Sequence, residues 1–110
     1  MADMNRQVEL RANVVIAALE GKWTVSILLA LRKGPVRLAD LRRLIPTATK
    51  KMLIESLRRL EHRGLVERED LSTKMRHVEY KISQEIREQI FVIVDGLASV
   101  EIQLRRTEVE

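Results

Sequence analysis

A chain of 110 residues is long enough for one compact core and too short for two. With 45% apolar residues it is not disordered by composition, and with no cysteine it can form no disulfide, thiolate metal site or thiol redox sensor. The net charge of +4 is unevenly spread: fifteen Lys/Arg stand against seven Asp/Glu between Gly21 and Ile82, while the two flanks together carry five against nine.

A basic middle between mildly acidic ends has the electrostatic outline of a polyanion-binding unit. The longest mostly apolar run, Ile90–Val94, is far too short to span a bilayer, and no cleavable signal precedes the first polar residues. A cytoplasmic protein without membrane contact is the expectation.

Along the chain, residues Val8 to Leu19 have helical content, with Val8, Val15 and Leu19 on one stripe. After Gly21, the residues Trp23, Ile27 and Leu31 recur every four positions, predicting a second helix that Gly34-Pro35 stops. Leu38, Leu41 and Leu44 or Ile45 predict a short third helix closed by Pro46. Thr49 is a candidate N-cap for a fourth helix over 49–63, with Leu53, Leu57 and Leu60 as its buried seam and Gly64 as its stop.

The period then changes to two. Val78, Tyr80 and Ile82 alternate with His77, Glu79 and Lys81, and Leu65-Val-Glu-Arg68 can pair with them through the polar Asp70–Lys74 segment. From Ser83 the helical period returns: Ile86, Ile90, Ile93, Leu97, Val100 and Leu104 step by fours and threes, a coiled-coil-like seam. Phe91, Val94 and Ala98 widen it beyond what a solvent-facing helix carries, so it calls for a partner, either the first helix or another subunit. Gly96 in its middle costs about 1 kcal/mol, which a close helix crossing would explain.

Helices followed by one hairpin and a last helix are the plan of a winged helix-turn-helix: mostly α, with a single β-hairpin. The divisions expected are an N-terminal helix to residue 20, a helix-turn-helix core over 21–64, a wing over 65–82, and a C-terminal helix and tail over 83–110.

The words of the sequence are also familiar in order. Gly21-Lys-Trp-Thr24, Gly34-Pro35, Leu38-Ala-Asp-Leu-Arg-Arg43, Leu57-Arg-Arg-Leu-Glu61, Gly64-Leu-Val-Glu-Arg68 and Val78-Glu-Tyr80 together resemble the HxlR-type bacterial winged helix-turn-helix regulators. The resemblance runs from about Val8 to about Leu104. It implies a transcriptional regulator that binds operator DNA as a homodimer through its first and last helices. On that plan Val8, Val15, Ile86, Ile90, Ile93, Leu97, Val100 and Leu104 are the dimer interface. Two departures stand out: members often carry a redox-active cysteine near the position of Leu10, and the usual Thr and Gly after the second strand are Ser83 and Ile86 here. Ser83 remains able to cap the last helix.

Turning 100° per residue from Leu53 places Lys51, Glu55, Arg58 and His62 within about 40° of the pole opposite the seam. A helix entering the major groove by its N-terminal half presents Thr49, Lys50, Lys51, Ile54 and Glu55 first. The lysines suit phosphates or guanine O6/N7, the Thr47 or Thr49 hydroxyl a phosphate, and Ile54 a thymine methyl. Two lysines at a helix start oppose the helix dipole, a conflict that a bound anion relieves. Glu55 either accepts from cytosine N4 or tethers Lys51, Arg58 or Arg59 along the helix. Lys74 and Arg76, beside His77, make a basic wing tip suited to backbone contact, whereas Arg37, Arg42 and Arg43 read as rim electrostatics. Trp23 reads as core.

No catalytic or metal constellation is present in the sequence: the two histidines, His62 and His77, have no metal-ligand spacing, and the serines lack a partnered base. No enzyme activity and no cofactor are expected. A winged-helix adaptor docking an acidic protein is the alternative to DNA binding, and a small-molecule effector between the terminal helices stays open.

Overall fold

The computed structural model describes residues 2–109. Its elements, in chain order, are α1 (Ala2–Leu19), α2 (Thr24–Ala30), β1 (Val36–Arg37), α3 (Leu38–Leu44), α4 (Lys50–His62), β2 (Val66–Asp70), β3 (Val78–Ile82) and α5 (Arg87–Val109). This is a winged helix-turn-helix body with a long helix leaving it at either end.

The leucine seams meet as their periodicity predicts. Ile27 and Leu28 of α2 with Leu31 at its C-cap, Leu41 of α3 and Leu53, Leu57 and Leu60 of α4 are almost wholly shielded from water and form one core. The sheet closes it, with Val66 and Ile82, directly opposite each other in the β2–β3 ladder, both buried. Trp23 is half-buried against this core, and Lys22 lies over its ring at 5.1 Å.

Three boundaries differ from expectation. The sheet has three antiparallel strands in the order β1-β3-β2, not two. β1 is only Val36–Arg37, paired with Tyr80 and Glu79, and two residues are too few to show an alternation. The hairpin connection is Leu71–His77, because β2 extends to Asp70. Ser83 does not cap the last helix: its hydroxyl donates to Glu67 Oε1 at 3.3 Å, Ile86 turns back onto the Ser83 carbonyl, and α5 begins only at Arg87.

The end of α4 governs the join to the wing. Gly64 adopts φ +79°, its N–H donates to Glu61 O at 3.0 Å, and the Leu65 N–H donates to Leu60 O at 2.9 Å. That is a Schellman closure, with Leu65 and Leu60 both buried on the apolar side of the turn. The Leu65 carbonyl then accepts from Ser83 N at 3.0 Å, so the helix ends directly on the base of the sheet.

The terminal helices are attached only near their roots. No residue of α1 whose side chain is described is fully buried; Ala18 and Leu19 touch the core, and Arg63 Nη1 holds the Ala17 carbonyl at 2.9 Å. α5 buries Ile90, Phe91 and Val94, and the Arg32 guanidinium grips Asp95 with two hydrogen bonds of 3.0 and 2.6 Å while stacking on Phe91. The hydrogen bonds from Arg32 hold the Asp95 carboxyl below its ordinary range. Beyond these roots the helices project, and the radius of gyration, 16.5 Å, exceeds the roughly 13 Å of a compact domain this size.

A Cβ added at Gly64 would meet nothing within 4 Å, so substitution there tests backbone conformation alone. Gly64→Ala is expected to destabilise the fold by about 1–2 kcal/mol, the cost of a left-handed L-residue, as a lowered urea midpoint at unchanged slope.

Candidate nucleic-acid interface

α4 is fixed at both ends before it meets any ligand. At its start the Thr49 hydroxyl accepts from Met52 N at 3.1 Å, confirming the cap. Its seam is buried, together with Ser56, and the opposite face is open: Lys50, Lys51, Glu55, Arg58 and His62 are all exposed. Ile54 is half-buried on one flank of the seam, and Met52, on the other flank, is 42% exposed. Thr47 is exposed in the turn before the cap.

The carboxylate of Glu55 stands apart from the helix's own cations. Among the described residues it forms no ion pair with Lys51, Arg58 or Arg59. Arg59 has turned away: its Nη2 would lie 2.5 Å from a Cβ built on Gly21, so it packs over the α1–α2 turn. Gly21, at φ +120°, makes room for it. Glu55 therefore stands in the exposed face with its acceptor oxygens uncommitted to a side-chain cation.

The wing tip is ordered by its own polar side chains. Asp70 Oδ1 accepts from Ser72 N at 2.9 Å, Ser72 Oγ accepts from His77 N at 2.8 Å, and Leu71 N donates to His77 O at 2.7 Å. These bonds close the tip and leave Lys74, Met75 and Arg76 exposed. The His77 ring is drawn to Glu79 at 2.7 Å. It is therefore part of the scaffold rather than of the basic tip.

A hollow of about 360 Å³ lies between the wing and α3, lined by Arg37, Leu38, Asp40, Arg43, Arg76 and Tyr80 among others. Arg37 Nη2 donates to the Arg76 carbonyl at 3.0 Å, tying β1 to the wing. A second hollow, of about 340 Å³, adjoins it and shares Ala39 and Arg43, with Arg42, Pro46 and Ala48 as its other walls. Reading Arg37 and Arg43 as rim surface missed this convergence. Only the β1–β3 pairing brings residues so distant in sequence together.

The predicted dimer residues do not form one surface. Ile90 is 4% exposed and Ile86 half-buried; both serve the chain's own core, because the first turns of α5 pack on the body. Val8, Ile93, Leu97, Val100 and Leu104 are exposed, and Val15 is half-exposed, on the two projecting helices. The hollow beside α5, about 500 Å³ and lined by Arg32, Arg87, Glu88, Phe91, Val92 and Asp95, lies against the end of α2 rather than between the terminal helices.

The model of the HxlR-like helix-turn-helix family matches residues 18–106. The chain belongs to that family. Among relatives of this HxlR-like chain, one from Bacillus subtilis (strain 168), named as the uncharacterized HTH-type transcriptional regulator YkvN, is 43% identical over 77 residues. That match covers 70% of this chain and 64% of the relative, so the chain spans slightly less than two thirds of that protein. Among solved structures, a protein from Enterococcus faecalis V583 named as a MarR-family transcriptional regulator superposes with a TM-score of 0.81 at 25% identity, covering 92% of this chain and 91% of its own. The redox regulator HypR in its reduced form gives 0.76 at 25% identity, over 91% and 99% of the two chains. The HxlR-like chain shares that fold without any cysteine.

Hydrogen bonds from the Ser72 hydroxyl and then the Ser72 N–H hold Asp70 below its ordinary value, with smaller help from Arg68 and Arg76. A depressed carboxylate stabilises the fold above its unfolded pKa, and that contribution disappears as pH falls through the lower folded value. The wing-tip amides, Ser72 above all, are therefore expected to lose hydrogen-exchange protection only below the usual carboxylate range. Asp70→Asn is expected to abolish that pH dependence.

Proposed function

We propose that the protein is a sequence-specific, double-stranded DNA-binding transcriptional regulator acting as a homodimer, with α4 in the major groove and the wing on the backbone. One observation carries the reading: α4 buries its leucines completely and turns a capped, lysine-led face outward. Lys50 and Lys51 stand where the helix dipole disfavours cations, and duplex phosphates would remove that conflict. Glu55 reads a cytosine N4 in this arrangement, and Arg58, Lys74 and Arg76 hold phosphates. The family and the printed names of the relatives support regulation of transcription.

The two projecting helices supply the dimer. Val8 and Val15 on α1, with Ile93, Leu97, Val100 and Leu104 on α5, leave apolar stripes in water that a second copy covers. A Cβ at Gly96 meets nothing within 4 Å in the single chain, so a close crossing there would have to come from the partner's helix. Two-fold pairing sets the half-sites about one helical turn, or a multiple of it, apart. Docking of an acidic protein by the same surface is the reading to be tested against.

Replacing Lys50 and Lys51 with alanine is expected to cost at least tenfold in affinity for duplexes selected from a random pool, measured at moderate salt. The parent's affinity should fall steeply with salt, since several phosphates are neutralised per subunit. Equal retention of parent and variant on duplex would rule α4 out as the reader. Glu55→Gln should relax the preference at one base position. An equal gain for every sequence would make it a brake on phosphate binding instead.

Leu97→Glu places a charge in the α5 stripe without touching the core. Sedimentation equilibrium is expected to report a folded monomer for this variant and a dimer for the parent, with weaker binding to a full two-half-site duplex. A parent that is monomeric at tens of micromolar protein contradicts the dimer.

A further inference from the structure

We propose that the hollow walled by Arg37, Arg43 and Arg76 is a seat for one DNA backbone phosphate, clamped between α3 and the wing. The proposal rests on the reading of α4 as the groove helix and adds a contact outside that helix.

Three arginines, from β1, α3 and the wing connection, line a space of about 360 Å³. The only carboxylate in its wall is Asp40, half-exposed, which approaches the largely exposed Arg43 side chain at 3.3 Å. Such an exposed pair is weak and readily exchanged for a better acceptor. Glu79 stands opposite Arg37 in the β1–β3 register, but its carboxylate is taken by His77 at 2.7 Å. Among the described residues Arg37 and Arg76 form no ion pair. Asp70 is near enough to feel the charge of Arg76, but the wall itself carries three cations to one anion.

The hydrogen bonding is that of a clamp. Arg37 spends one donor on the Arg76 carbonyl, which fixes its guanidinium against the wing and leaves its other donors for a ligand. Guanidinium forks match phosphate oxygens in pairs, a geometry that lysines do not provide. Tyr80 lines the same hollow and offers a phenol.

Continuity identifies the ligand. The second hollow shares Arg43 and runs on to Pro46 and Ala48, in the turn that delivers Thr49 and Lys50. A basic path therefore leads from the wing, through Arg43, to the start of α4. A linear polyanion lying on α4 follows such a path, and a small anion has no use for its length.

Arg43→Gln is the test, because Arg43 is largely exposed and among the described residues its side chain pairs only with Asp40, so the fold should be untouched. Duplex affinity should drop for all sequences alike, the slope of log affinity against log salt should decrease in magnitude by about one, and base preference should stay as in the parent. Asp40→Asn should raise affinity uniformly. In a scan of single neutral methylphosphonate linkages, one linkage per half-site should weaken the parent and be silent with Arg43→Gln. An unchanged slope and an unchanged scan overturn the clamp. So does a variant whose only defect is loss of a Tyr80 resonance shift caused by inorganic phosphate, which would make the hollow a seat for a free anion. Failure of the α4 reading shows separately, as a parent that ignores duplex or a Lys50/Lys51 variant that matches it.

Discussion

The left-handed turn at Gly64 is the constraint on which the rest of this small protein depends. It ends α4 by sending the Leu65 N–H back to the Leu60 carbonyl, and the next carbonyl is already part of the sheet's base through Ser83. Leu65 is thus bonded to the helix on one side and to the wing on the other. Helix and wing have no linker between them. Whatever surface α4 presents, the wing is held at a fixed angle to it, and Val66 and Ile82 anchor that angle in the core.

Arginines do the remaining joining, each spent on a carbonyl, a glycine or a ring. Arg63 holds the end of α1, Arg59 fills the space over Gly21, Arg37 ties β1 to the wing, and Arg32 clasps α5 through Asp95 and Phe91. This division of labour explains why the basic middle of the chain is not uniformly a ligand surface. Part of its charge is structural, and Lys50, Lys51, Arg58 and Lys74 are among the outward-facing cations without such duties.

Much of this was legible in the sequence where the signal is a repeated period. The leucine seams of α2, α3 and α4, the Thr49 cap, the Gly64 stop and the existence of the hairpin all follow from spacing and local chemistry. The misses share one cause. β1 exists only because Tyr80 and Glu79 lie beside it, Arg59 turns to Gly21 instead of Glu55, and the arginine hollow is assembled across the sheet. None of these leaves a local pattern. The long seam from Ile86 to Leu104 misled in another way: periodicity marks an apolar face but not what covers it. Its first residues turn into the chain's own core, and only the later ones remain open.

The rooting of α5 also makes it a lever. Its last buried residue is Val94, and the helix continues to Val109, a free arm of about 22 Å at 1.5 Å per residue. Rotation by about 5° about the Arg32–Asp95 clasp moves the far end by about 2 Å over that length. An event too small to notice at the root is thereby magnified to roughly the width of an atom at the tip. The geometry of anything fastened to that tip is written in the clasp.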